Sequence, residues 1–221
     1  IALRERLNQE TGKTLWKALA FDGIMAHPGI TRVLFSCARA SRRLVAGHEG
    51  FSRNLPGPLR KYDLFRALPS PAPKSLTQTV REKSPQIQAV KQPPRIVLFG
   101  GCLVEHFYPE VGLDALRVLA RLGYDATLAE PVCCGFPAAN SGFRSSARRT
   151  FRKLAAGLQG AQAVLTLCPT CTTMLTRLGP DLWRTEKAKS LAQKVVPFSR
   201  FLLDRERPRL QGLLSSGPSP Q

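Results

Sequence analysis

The chain has 221 residues, with 33 Lys and Arg against 15 Asp and Glu and a formal net charge of +18. That length holds one good-sized domain, or a small one with appendages. The absence of any long apolar run excludes a membrane-spanning helix. A pI near 10.6 invites a nucleic-acid reading. The basic stretches lack regular aromatic interleaving, however, and no zinc-finger spacing occurs. An anionic lipid surface or an acidic protein partner suits the charge better, and plainly solvated flanks suit it equally well. The charge is uneven: residues 1–95 hold 17 Lys/Arg against 6 Asp/Glu, residues 96–183 hold 8 against 6, and residues 184–221 hold 8 against 3.

The opening Ile1-Ala2-Leu3-Arg4-Glu5-Arg6 has neither Met nor a secretory apolar core, so it is expected to come from inside a longer chain. Residues 1–24 read as helical, with Leu15, Leu19 and, less regularly, Trp16 and Ala20 on one face. A second helix fits residues 31–47, and 56–67 form a short basic stretch with Leu59, Tyr62, Leu64 and Phe65. Residues 1–68 are thus expected as a helical basic segment. Residues 69–94 are polar and proline-rich, the composition of an extended linker that buries little.

The pattern changes at Arg95. Ile96–Phe99, ended by Gly100-Gly101, reads as a buried strand, and residues 110–122 as a helix with Val111, Ala115, Val118, Leu119 and Leu122, stopped by Gly123. Tyr124–Leu128 is a weaker strand. Residues 141–158 form a helix candidate with Ser141 as N-cap and Phe151, Leu154 and Leu158 on one face. Ala163–Leu167 makes a third strand, 170–178 a third helix and 185–204 a further amphipathic helix. A disordered tail is expected over 206–221. Strands alternating with helices over short links predict an α/β fold for 95–205: a Rossmann-like, three-layer parallel sheet covered by helices.

Five of the six cysteines form one spaced set, Cys102, Cys133-Cys134-Gly135 and Cys168-Pro169-Thr170-Cys171. Each group follows a predicted strand, and loops beyond the carboxyl ends of parallel strands gather at one edge. Cys168 and Cys171 also open a helix, where exposed N–H groups favour thiolate. Thiolate is the soft ligand that iron–sulfur clusters and zinc select. A redox C-x-x-C pair and a four-thiolate zinc site with one spare thiol remain open on the residues alone. Disulfides fit poorly, since no secretory signal is evident and a reducing cytoplasm is expected. Cys37 lies outside the set and is read as a structural residue. His27 and His48 are scattered; His106 follows Cys102 by four residues and is read as a surface or capping residue rather than one lining the site. Gly100-Gly101 lacks the further glycines of a dinucleotide loop.

This arrangement resembles the CCG, or cysteine-rich, domain found in heterodisulfide reductase and in the iron–sulfur subunits of flavin-linked dehydrogenases. Gly101–Gly112 and Cys133–Gly142 look most like the lactate-utilisation branch, and the similarity spans residues 95–205. The resemblance implies that Cys102, Cys133, Cys134, Cys168 and Cys171 ligate an iron–sulfur cluster, [4Fe–4S] or noncubane, with zinc as the alternative. It implies an electron-transfer module of a complex that oxidises a 2-hydroxy acid or glycerol phosphate. The partners would be a flavin-containing dehydrogenase subunit and other iron–sulfur subunits, in the cytoplasm or peripherally on the inner membrane face. Two other outcomes are a zinc-stabilised assembly module and disulfide reduction at the cluster. The chain departs from the family in showing one such domain and no ferredoxin motif.

Overall fold

The computed structural model describes residues 1–10, 12, 15–25, 27–41, 51–52, 68–83 and 96–215. Four short strands build the sheet: β1 (Ile96–Phe99), β2 (Ala126–Leu128), β3 (Ala163–Thr166) and β4 (Val195–Pro197). They lie in the order β2-β1-β3-β4, all parallel. Ile96 pairs with both Ala126 and Ala163, and Val164 pairs with Val195. β1 is therefore central, as a strand buried on every residue should be.

Successive side chains of a strand point to opposite faces, and β1 feeds two cores in turn. Val97 and Phe99 face the Arg144–Gly157 helix with its Phe151 and Leu154 and the Leu158 that caps its end, together with Met174 and Leu175. Ile96 and Leu98 face the Pro109–Arg121 helix through Leu113, Leu116 and Leu119, with Phe201 beside them. Helices thus cover both faces, and the expected three-layer α/β architecture is present. Each fully buried Leu of these layers contributes about 1.5–3 kcal/mol relative to an exposed one.

Four local expectations are corrected. The stretch read as one helix over 185–204 is two helices, Glu186–Lys194 and Phe198–Arg205, separated by the edge strand β4. Its Pro197 sits where no further strand needs an N–H. Ser141 caps no helix start; it closes the short Phe136–Asn140 helix, and the next helix begins at Arg144. Residues 69–94, read as a linker, contain the Leu76–Lys83 helix, whose Leu76 and Val80 are fully buried against the Pro109–Arg121 helix. Their four-residue spacing puts both on one helical face. The stretch read as tail carries a helix over Arg207–Ser215. The Tyr124 hydroxyl meets buried Glu206 just ahead of it. The boundary near residue 94, the 56–67 stretch and the end of the tail lie outside the described residues.

Before the sheet, helices span Ala2–Glu10 and Pro28–Ala40, with a single turn Leu15–Ala18 running into a wider π-turn, Leu19–Ile24. The apolar face expected from Leu15 and Leu19 is not buried; both side chains and Trp16 are exposed. The segment reaches the cysteine-bearing domain by other groups. Phe21 packs on Phe143 at 5.1 Å between ring centres. Arg4 donates to the Asn140 carbonyl at 2.7 Å, Asn8 to that of Ser141 at 2.8 Å, and Asp22 accepts from Ser146 and Arg149.

Candidate metal centre

The strand order explains why three distant cysteine groups meet. The chain leaves β1 for β2 on one side and returns to β3 on the other, so β1 and β3 flank a switch point where the loops diverge and open a crevice. Cys102 lies in the Gly101–His106 helix after β1, Cys133-Cys134 in the loop after β2, and Cys168 directly before the Pro169–Thr173 helix after β3. All five cysteines are unpaired thiols.

Two glycines allow the thiols this approach. Gly101 has φ +71°, and a Cβ there would lie 2.9 Å from Cys171 Sγ. Any side chain at that position would push the third loop away from the first. Gly135, with φ +90°, turns the chain sharply after the cysteine pair, and a Cβ there would stand 2.8 Å from the Ala147 carbonyl oxygen. Both conformations are ones that L side chains adopt at a cost. The Gly135 N–H donates to Cys133 Sγ at 3.4 Å.

The five thiols lie close enough that each shifts the titration of its neighbour, in the order Cys102–Cys133–Cys134–Cys171–Cys168. Cys134 and Cys171 are buried at the floor, while Cys102, Cys133 and Cys168 are half-buried at the mouth. Charge follows the hydrogen bonds. Those from Cys133 and Cys171 hold the Cys134 thiol down to about 4 despite burial. The hydrogen bond from Cys171 holds Cys168 down to about 5, against burial and with help from the amides of Cys171 and Thr170. The bond from Cys102 lowers Cys133, but the one Cys133 gives to Cys134, with burial, pushes it up to about 12. Cys102 is raised by its bond to Cys133 and by burial, and Cys171 by the bonds it gives to Cys134 and Cys168. The shifts favour thiolate at Cys134 and Cys168 and the protonated thiol at Cys102, Cys133 and Cys171, and thiolate is the form that binds metal.

Among the described residues, no group of three or more His, Cys, Asp or Glu side chains is arranged to hold a metal ion. Binding a metal would therefore require the thiols to turn toward a common centre. In kind the donors suit a thiophilic metal: five soft groups on the segments that follow three strands, with thiolate favoured at two of them. A cleft of 360 Å³ lies between the end of β3 and the start of the Phe198–Arg205 helix, lined by Thr166, Leu167, Pro169, Thr172 and Phe198 among others.

His106 and Cys37 depart from expectation. His106 is not at the surface; it is buried, stacked on Phe35 at 3.8 Å, and its Nδ1 accepts from Arg39 at 3.1 Å. Burial and, secondarily, the Arg39 charge push it down to about 4, so it is neutral. It joins the Pro28–Ala40 helix to the sheet domain. Cys37, on that helix, is exposed rather than packed. His27 is exposed, and His48 lies outside the described residues. Gly101 is the site residue that motif reading undervalued; its signal was a glycine directly preceding the first ligand-type cysteine.

Residues 96–176, which span the first three strands and the cysteines that follow them, match the family described as "CCG: Cysteine-rich domain". The matched stretch holds all five cysteines of the spaced set. It is similar to Lactate utilization protein A of Bacillus velezensis, 34% identical over 116 residues, covering 50% of this chain and 48% of the relative. The proteins of that name from Geobacillus kaustophilus and Bacillus subtilis are 34% and 33% identical over the same length and shares. The chain spans about half the length of the curated relatives it matches. No solved structure matches. No helix among the described residues is long and apolar enough to cross a membrane.

Proposed function

We propose that Cys102, Cys133, Cys134, Cys168 and Cys171 hold an iron–sulfur cluster, and that the chain serves as an electron-transfer module in the oxidation of a 2-hydroxy acid such as lactate. The observation that carries the reading is the gathering of five thiols just after three parallel strands at one sheet edge, with thiolate favoured at Cys134 and Cys168. The name of the similar proteins supports the substrate class. Five thiols exceed the four of a cubane, which suits either an enlarged noncubane centre or a [4Fe–4S] centre with one free thiol.

When bound, the cluster supplies a one-electron carrier. The chain's own residues set its surroundings. Buried Cys134 and Cys171 sit among Val132, Ala138 and Met174, whose apolar side chains exclude water from the floor. Burial and the amides directed at sulfur are the levers that tune a cluster potential. Half-buried Cys102, Cys133 and Cys168 lie at the open side, where a partner's redox group can approach. We assign the donor to a flavin-containing dehydrogenase subunit and the acceptor to further iron–sulfur subunits, with the assembly cytoplasmic and at most peripheral to an anionic membrane.

Anaerobic reconstitution with ferrous iron and sulfide tests this. The expected product is a brown protein whose visible absorption bleaches with dithionite and which gives an EPR signal on reduction or oxidation. A protein that stays colourless and takes up one tight zinc ion per chain instead would contradict the reading and indicate a zinc-stabilised assembly module.

A further inference from the structure

A second site lies away from the thiols, on the outer face of the Arg144–Gly157 helix. This helix carries five of the eight Lys and Arg residues in 96–183, Arg144, Arg148, Arg149, Arg152 and Lys153, and no acidic residue. Four of those arginines line a cleft of 810 Å³ between this helix and the Ala2–Glu10 helix, closed at one end by Leu182 and Trp183. Two have partners: Arg144 donates to the Leu182 carbonyl at 2.7 Å and lies 3.7 Å from Glu5, and Arg149 pairs with Asp22 at 2.6 Å. Arg148 and Arg152 are exposed and have no hydrogen-bond or ion-pair partner among the described residues.

Like charges spaced four apart on a helix repel, and cations near a helix N-terminus oppose its dipole. This helix accepts both costs in a near-neutral domain, which marks the row as serving something outside it. We infer that the cleft docks an acidic polypeptide segment of a partner protein. Arg144, Arg148 and Arg152 repeat every four residues, about 6 Å along the helix axis. Alternate side chains of an extended peptide repeat at about 6.8 Å, so a run of carboxylates can meet the row in register. A single small anion would engage two of these arginines at most. The recessed groove between two helices suits a chain, whereas a planar lipid surface meets flat or convex patches. The inference is independent of which metal the thiols hold.

The test is fluorescence anisotropy of labelled octaglutamate with the full chain at low salt. The R148E/R152E variant should bind roughly tenfold more weakly. R121E, a charge reversal on the opposite face of the sheet, should stay within about twofold of wild type. If the double variant has an altered thermal transition, R148Q/R152Q replaces it and should still lose several-fold. Equal losses in R121E and R148E/R152E would reduce the effect to net charge and overturn the inference. So would arginine-dependent binding to vesicles with about 30 mol% phosphatidylserine, or to a single-stranded oligonucleotide, with no binding of the peptide.

Discussion

The sheet domain and the basic segment ahead of it use their apolar residues in opposite ways. In the domain, Leu98, Leu113, Leu119, Phe143 and Leu165 are entirely buried; in the first forty residues, Leu3, Leu15, Trp16, Leu19 and Val33 are exposed. The domain is held by its own core. The segment is held to it by single aromatic rings, Phe21 on Phe143 and Phe35 on His106, and by side chains reaching backbone carbonyls. Packing therefore fixes the thiols, while the joint to the segment depends on a few polar and charged groups that conditions can change.

The comparison can be broken most sharply at the thiols. Replacing Cys133 or Cys134 by Ser should remove all cluster binding, read as iron and sulfide per chain. Replacing exposed Cys37 should remove none. Next, Leu76→Ala should cost about 2–5 kcal/mol in denaturant unfolding, since it deletes a side chain with 1% exposure from the core. Leu15→Ala, at 87% exposure, should stay within about 0.5 kcal/mol. An equal cost at the two positions would mean the segment belongs to the same packed unit.

Smaller effects sharpen the picture. Gly101→Ala should destabilise the apoprotein by about 1–3 kcal/mol, because a left-handed backbone and a crowded Cys171 sulfur meet at that position. It should also lower the cluster occupancy. An effect of similar size is a pH dependence at the joint. His106 is pushed down to about 4 in the folded chain, below the ordinary value near 6.5 that it regains on unfolding. Its contribution is therefore fully present above about pH 6.5 and is lost as pH falls toward 4. About 2 kcal/mol should disappear between pH 7 and 5, and His106→Asn should flatten that slope in pH-dependent unfolding.

Much of the domain was legible because its signals are local. Ile96–Phe99 and Ala163–Thr166 are apolar runs bounded by glycine or cysteine, and the thiol spacing survives any register error. What was missed depends on tertiary contacts. Val195–Pro197 is a three-residue edge strand inside a stretch with helical periodicity, and only pairing with β3 makes it a strand. The Leu76–Lys83 helix was hidden by the prolines around it, since composition outweighed the two apolar residues that anchor it. His106 looked like a site neighbour or a surface group; its partner Phe35 lies 71 positions away in the chain, beyond the reach of local patterning. Summing charge by segment concealed the arginine row, because the other residues of 96–183 are acidic enough to balance it.

The central claim is that the five thiols form one iron–sulfur centre. Iron, acid-labile sulfide and zinc, measured together on one anaerobic preparation of the chain, test it most directly. Iron and sulfide in about equal amounts, at several atoms per chain and with little zinc, are the result the account predicts. One zinc per chain with neither iron nor sulfide would contradict it.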